Sequence, residues 1–460
     1  MSPAVLEGLC PVQFEKRLCE FYGVSKTLPS GRGKTIYLSL RIVIQQNSLL
    51  KKQQTSREKN LARKQKLQQK LAQHRSAASM ETKMNRKFPA ILTVMALAVV
   101  SIQAQAADPI KIGLMAESTG ANADAGTYQI NGAKLALEEI NKAGGVLGRP
   151  LELKIEDNQS TNPGSVLAVS KLTSGGDMTA LIGSVRSTQI QAVAPTVIKV
   201  GLPMVIGGTD FGLTHSGNPW LFRARPHDGY SAKVIADYGV NTLKLKKWAI
   251  VHSTDAFGNG GKNNLIEALK VLGVTPVVVQ GFTSNSQDFT PIVLAIKQSG
   301  ADVVSTYIAN STDVGIFSKQ LRQLGGSIAW VGSPSISTDT AMKLGVEALF
   351  GTYSIADFAI GSSPEAQAFA KKYKDKYNLE PDLYSSWAYD AVNILASAIK
   401  SANSTKPDAI KKGIHSIKGY KGVEGTYTFD ENGDGLHGYN IVKNEQGKIV
   451  YVKHIDFAPK

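Results

Sequence analysis

Thiol chemistry is almost absent from this chain. Of its 460 residues only Cys10 and Cys19 are cysteines, so from residue 108 onward nothing can form a disulfide, a thiolate metal site or a cysteine nucleophile. The charge surplus expected of a nucleic-acid binder is missing from the same region. The formal net charge is +15, but residues 1–107 hold 18 Lys and Arg against 5 Asp and Glu, which leaves 34 against 32 in the rest. A basic face for a phosphate backbone would have to come from the leader, and no nucleic-acid partner is expected for the body.

Enzyme signatures are lacking too. The segment "AFGNGGKN" fails as a phosphate-binding loop because Ala256 stands where its first glycine is required and Asn263 follows the lysine. There is no G-x-S-x-G elbow, no H-x-x-x-H pair and no G-x-G-x-x-G after the first strand-like run. "DENGDGLHGYNI" aligns Asp430, Asn432, Asp434 and Gly435 with the first half of a calcium loop, yet Ile441 occupies the place of the closing glutamate, so a turn is expected there. His215, His252 and His437 are scattered and read as surface or hydrogen-bonded residues. No catalysis, cofactor or metal is expected.

One long apolar run is present. In "MNRKFPAILTVMALAVVSIQAQAADP", from Met84, Arg86 and Lys87 precede an apolar stretch from Phe88 to Ile102, and Ala104-Gln105-Ala106 forms a small-residue cleavage site. The stretch is short of the ~20 residues that a bilayer-spanning helix needs. Residues 84–106 are therefore expected to be a cleavable secretory signal, with Ala107 the first mature residue and the periplasm the destination. Residues 1–83, with a Lys/Gln-rich middle, are expected to be a disordered or non-native upstream leader.

Beyond Pro109 strand-like and helix-like segments alternate. "IKIGLM", "LELKIED", "TALIG" and "LPMVIGG" read as strands. Between them, "TYQINGAKLALEEINKAGG" has helical spacing, and "TNPGSVLAVSKLTSGG" has Asn162 as expected cap with Pro163 behind it. After "WLFRARPHD" a second series begins, with "KWAIVHS", "VTPVVVQGF", "DVVSTYIA" and "IAWVGS" as strands among helices. Three helical segments between Ser363 and Ile417 and a β-rich end from Thr426 follow. This order implies an α/β protein of two lobes, each a parallel sheet flanked by helices.

In such sheets ligands bind beyond the carboxyl ends of the strands, at helix N-termini. "GSVRSTQ" (183–189) and "IGGTD" (206–210) lie at two consecutive strand ends. Ser187, Thr188 and Thr209 supply hydroxyls there, and Gly207 and Gly208 allow close approach to the backbone; simple helix capping is the alternative use of these residues. Arg186 has two readings, a solvated surface charge or a planar fork on a ligand carboxylate.

Taken together, "NGAKLALEEINKAGGVLGRPLEL", "IGSVRS", "GLPMVIGGT", "DAFGNGG", "QDFTPIVLAIKQSGADVV" and "YDAVNILASAI" resemble the type I periplasmic binding proteins, in the leucine/isoleucine/valine-binding branch of ABC-transporter receptors. The resemblance covers residues 108 to about 456. It implies two Rossmann-like lobes joined by a three-crossover hinge, residues 108–228 and 354–430 forming lobe I and 229–353 and 431–460 forming lobe II. It also implies capture of a small amino acid or other carboxylate-bearing ligand by a monomer, and delivery to an ABC permease in the inner membrane.

By position, Ser187, Thr209 and the backbone at Gly207 match the family's grip on the ligand carboxylate. Phe257 matches the aromatic residue that covers the ligand, and Asp228 an acidic hinge residue. Departures from the pattern are Ala125 in place of an aromatic residue, Asn310 at or beside an expected tyrosine, and Pro334, between Ser333 and Ser335, in place of the glutamate that would meet an ammonium. A buried ammonium without a carboxylate is costly, so either Asp228 or Asp255 takes over that role or the ligand is an amine-free aliphatic or aromatic acid, an amide or urea. A ligand-sensing module with the same pocket is a further alternative.

Overall fold

The computed structural model describes residues 108–457. Cys10, Cys19, the basic leader and the signal segment lie outside the described residues. The first sheet is built from β1 (Ile110–Ala116), β2 (Leu151–Asp157), β3 (Ala180–Ile182), β4 (Met204–Ile206) and β5 (Leu221–Arg223), in the order β2-β1-β3-β4-β5 and all parallel. Its connections are helical: α1 (Ala123–Lys142), α2 (Asn162–Thr173) and α3 (Ser187–Val200). The chain enters α2 through Thr161, whose hydroxyl accepts the Gly164 amide at 3.0 Å. The expected cap Asn162 is instead the first helical residue, one position late.

The second lobe starts with α4 (Asp228–Asp237) and continues through β6 (Trp248–Ser253), α5 (Ala256–Val271), β7 (Val278–Phe282), α6 (Thr290–Ser299), β8 (Val303–Tyr307), α7 (Ser311–Gln320), β9 (Ala329–Gly332), α8 (Asp339–Gly345) and β10 (Tyr353–Ala356). The chain then returns to the first lobe with α9 (Pro364–Tyr377), α10 (Leu383–Ala402), α11 (Pro407–His415) and the small hairpin β11 (Tyr420–Lys421) and β12 (Thr426–Tyr427). It ends in the second lobe with β13 (Gly438–Glu445) and β14 (Lys448–Asp456), which add antiparallel to β10 and complete the order β14-β13-β10-β9-β8-β6-β7.

Two expected boundaries shift. Residue 354 lies inside β10, which pairs with β9 and β13, so the chain leaves the second lobe only at Asp357. Residues 431–435 stay with the first lobe, because the Arg223 amide donates to Gly433 O, the Gly435 amide donates to Arg223 O, and Asp434 bridges to Arg223. The reason is the same in both cases: backbone pairing extends past the turn residues that mark a boundary in sequence.

The core explains the strand composition. β1 is central and nearly every residue in it is buried, as expected of a parallel strand covered on both faces. Ile112, Leu114, Ile182 and Val205 pack against Trp387, Leu395 and other residues of α10, so α10 belongs to the first lobe although it follows the second in sequence. In the second lobe Phe289, Phe317 and Trp330 cover one sheet face, while Trp248, Leu265 and Tyr307 fill the other. Among the described residues no helix is long and apolar enough to cross a membrane.

Candidate functional site

The site forms where two first-lobe strands end. Beyond β3 the chain turns through Ser184, whose hydroxyl accepts the Arg186 amide at 2.8 Å and donates to the buried carboxylate of Glu117. Arg186 then stands at the N-cap of α3 in extended conformation, and Ser187 opens the helix. Beyond β4, Gly207, Gly208 and Thr209 run alongside; the Gly207 amide bonds Ser184 O at 3.1 Å, and the Asp210 amide bonds Ser187 Oγ at 3.1 Å. Gly207 cannot be replaced cheaply, since a Cβ there would lie 2.7 Å from the Trp387 ring.

Two arginines, Arg223 at the end of β5 and Arg225 just beyond it, hold this loop from behind. Arg225 Nη1 donates to Gly207 O at 3.0 Å, and Arg223 Nη1 to Gly208 O at 3.1 Å. Arg225 is anchored by Asp357, and Arg223 by Asp434 at 2.7 Å. With their carbonyls turned back, the loops present hydroxyls and helix N-termini to the space between the lobes.

That space is a cavity of ≈ 50 Å³. The first lobe lines it with Arg186, Ser187, Thr188, Thr209 and Arg225, and with Leu383 and Tyr384 of α10. The second contributes Asp255 and Phe257 at the start of α5, Ala309, Pro334 and Ser335. The lobes meet directly around it: Arg186 donates to Ala309 O, the Ala256 amide bonds Thr188 Oγ1 at 3.3 Å, and Ser311 Oγ lies 3.1 Å from the Tyr384 hydroxyl.

Arg186 is the central charge. Burial works against its cationic form, but Tyr384, Glu117, Asp124 and Asp255 more than compensate, and its pKa is raised. Its Nη2 donates to Asn122 Oδ1 at 3.0 Å, its Nε has no partner among the described residues, and its guanidinium sits 5.8 Å from the Tyr384 ring centre. It makes no ion pair closer than 4 Å with a carboxylate of the described residues, and it stands half-buried at the cavity wall. Glu117, behind it, is pushed up by burial despite the opposing pull of Arg186 and Ser184.

The carboxyl groups differ in availability. Asp255 lines the cavity; its Oδ1 caps α5 by accepting the Gly258 amide at 2.8 Å, and Oδ2 accepts from Ser284 at 3.3 Å. Asp228 is the first residue of α4 and does not line the cavity. Burial raises its pKa to about 7, against the Thr209 hydrogen bond and Arg223. Asp313, in α7, is raised to about 6 by burial, against its bond from the Asn285 amide.

Of the residues singled out from sequence, Arg186, Ser187, Thr188, Thr209 and Phe257 converge on the cavity. Gly207 and Gly208 shape the loop behind it without lining it. Asn310 does not line it either: it is turned toward Asn285, donating from Nδ2 to Oδ1 at 3.1 Å. Arg225, Leu383 and Tyr384 also line the cavity; Leu383 and Tyr384 come from a segment distant in sequence, and Arg225 stands just beyond β5 in "WLFRARPHD", which reads only as a boundary. The calcium-like segment closes as a turn, Asp430 Oδ1 accepting the Asn432 and Asp434 amides at 2.9 Å each. His252 and His437 are hydrogen-bonded to Ser253 O and Thr428 O.

Comparison with known proteins agrees with this architecture. A family model described as periplasmic binding protein matches residues 109–448. The chain is 30% identical over 344 residues to the Leu/Ile/Val-binding protein homolog 3 of Brucella melitensis, covering 74% of this chain and 93% of that protein. It is 25% identical to the leucine-, isoleucine-, valine-, threonine- and alanine-binding protein of Pseudomonas aeruginosa, over 75% of this chain and 92% of the other. Among solved structures, the branched-chain amino acid transporter substrate-binding protein LivJ of Streptococcus pneumoniae, in complex with isoleucine, superposes with a TM-score of 0.71 at 26% identity, covering 76% of this chain and 99% of LivJ.

Proposed function

The chain belongs to the type I periplasmic binding proteins, in their branched-chain amino acid branch, and from that premise we propose that it captures a free amino acid between its lobes and delivers it to the membrane permease of an ABC importer, catalysing no reaction. The observation that carries the choice of ligand is the pairing of opposite charges across one cavity, Arg186 on the first lobe and Asp255 on the second. A zwitterion satisfies both. Its carboxylate is received by Arg186, the hydroxyls of Ser187 and Thr209 and the α3 N-terminus, where an anion is favoured. Its ammonium turns to Asp255, in place of the glutamate that Pro334 replaces. Phe257, Leu383 and Val185 suit an aliphatic side chain.

The test is isothermal titration of leucine, isoleucine and valine beside 4-methylpentanoate, which keeps the carboxylate and lacks the amine. Tighter binding of the amino acids is expected. If 4-methylpentanoate binds more tightly than leucine, the zwitterion reading fails and a second reading takes its place: a receptor for amine-free acids. One observation favours that second reading, because both Asp255 oxygens already accept hydrogen bonds within the protein.

The same proposal places the mature protein in the periplasm as a monomer, released from its signal segment at Ala107. Mass spectrometry of the exported protein checks this, and a mature chain that retains residues before Ala107 would contradict it.

A further inference from the structure

A second cavity lies between the lobes beside the second crossover and shares only Leu383 with the first. Its volume is ≈ 420 Å³, within the range of small-molecule sites and well beyond the need of one or two waters. Phe358 of the crossover, Met342 of α8, Leu383 of α10 and Ile449 of β14 give it apolar walls. Ile360 and Ile449, 43% and 36% exposed, present apolar surface to water at its edge.

Its charged groups are mostly acidic, and they are unequally neutralised. Asp339 is paired with Lys343 at 2.5 Å and Glu380 with Lys374. Asp382 is only 6% exposed, and it makes no ion pair within 4 Å among the described residues. It caps α10, accepting the Tyr384 amide at 2.9 Å. Burial raises its pKa to about 7, against the backbone bond from Tyr384, which is the position of a carboxyl that an incoming cation would return to the charged form. The basic residue of the lining is Lys448, which is exposed.

We propose that this cavity is a second binding site, for a small organic cation with an apolar body such as a primary alkylamine, its ammonium against Asp382 and its carbon chain against Phe358, Met342 and Leu383. Because both lobes and the crossover between them supply the walls, the occupant binds the apposed arrangement of the lobes. Amine and solute then tighten each other's binding by the same factor.

Titration of the purified protein with n-hexylammonium at pH 7.5, beside hexanoate and hexanol, tests this. Saturable binding of the amine is expected at concentrations where the acid and the alcohol do not bind. Asp382→Asn keeps a side chain that caps helices and should weaken the amine about tenfold, the scale of one hydrogen bond to a charged group. Lys448→Glu, an exposed change that leaves the cap untouched, should strengthen it several-fold. Absence of amine binding, or equal affinity in both variants and the parent, overturns the proposal.

Discussion

Replacing Arg186 by alanine separates the lobe bridge that this side chain makes from the ligand contact proposed for it. The guanidinium bridges the lobes through Ala309 O, a bond available with any ligand that closes the cleft. On the proposed reading its Nε, which has no hydrogen-bond partner among the described residues, receives the ligand carboxylate. Loss of the bridge should cost about 1 kcal/mol, or roughly fivefold in affinity, whatever the ligand. Loss of a buried charged pair should cost a further 2 to 5 kcal/mol, about 30-fold or more, for carboxylates alone. The fold should tolerate the change, because Glu117 is already shifted toward its neutral form by burial.

The assay is calorimetric titration of parent and variant with leucine and with leucinamide, which keeps the ammonium and the side chain but carries no carboxylate. Leucine should weaken at least 30-fold more than leucinamide does. Arg186→Lys, which keeps the charge without the planar fork, should fall between parent and alanine. Equal weakening of leucine and leucinamide would make Arg186 a lobe bridge only, and an unchanged affinity for both would refute its placement in the site.

Asp255→Asn should weaken leucine about tenfold or more while leaving 4-methylpentanoate within twofold, since only the former brings an ammonium; equal loss for both ligands would point to the broken α5 cap. Asp228 has a folded pKa raised to about 7 by burial, above the ~3.9 of an unfolded aspartate, so its stability contribution is complete below pH 4 and is lost as pH rises through 7. Asp228→Asn should therefore raise the melting temperature at pH 8, by an amount worth up to a few kcal/mol, and leave it nearly unchanged at pH 4; melting curves at the two pH values decide. Gly207→Ala should destabilise the protein by about 1 to 3 kcal/mol through overpacking against Trp387, and denaturant titration with an unshifted midpoint would show that the ring can give way.

Much of the α/β order was legible because parallel strands are continuous apolar runs and their helices begin at recognisable punctuation. "LELKIED" coincides with β2, Leu151–Asp157. The misreadings cluster where glycine serves packing and not turning. α5 begins at Ala256, within "AFGNGG", which looks like a loop. Its glycines are there for close approach: a Cβ on Gly258 would lie 1.9 Å from Ser253 O, and one on Gly261 would lie 2.0 Å from the Tyr307 ring. α1 likewise starts at Ala123 behind Asn122, which makes no side-chain cap bond. Within the site, hydroxyls at strand ends follow from the strand order alone. Tyr384 and Leu383 depend on which distant segment returns over the cavity, and local pattern carries no such information.

The segments that connect the lobes are tied by buried ion pairs to the loop beyond β4. The first crossover carries Arg225, whose partner Asp357 begins the second. Arg223, which ends β5, is bound to Asp434 of the third, and Asp434 is held below the usual carboxylate range by that arginine although burial opposes it. Both arginines spend a further donor on the carbonyls of Gly207 and Gly208, and the Asp228 amide bonds Thr209 O at 2.8 Å. The backbone of the loop beyond β4 is thus fastened to residues at the ends of the segments that connect the lobes. Breaking a buried pair leaves an uncompensated charge and costs several kcal/mol, so any relative movement of the lobes is expected to break the bonds that join lobe to lobe instead: Arg186 to Ala309, Thr188 to Ala256 and Ser311 to Tyr384. Those are cavity residues or their neighbours, which is the condition for a ligand to bias closure through differential contacts with the two arrangements.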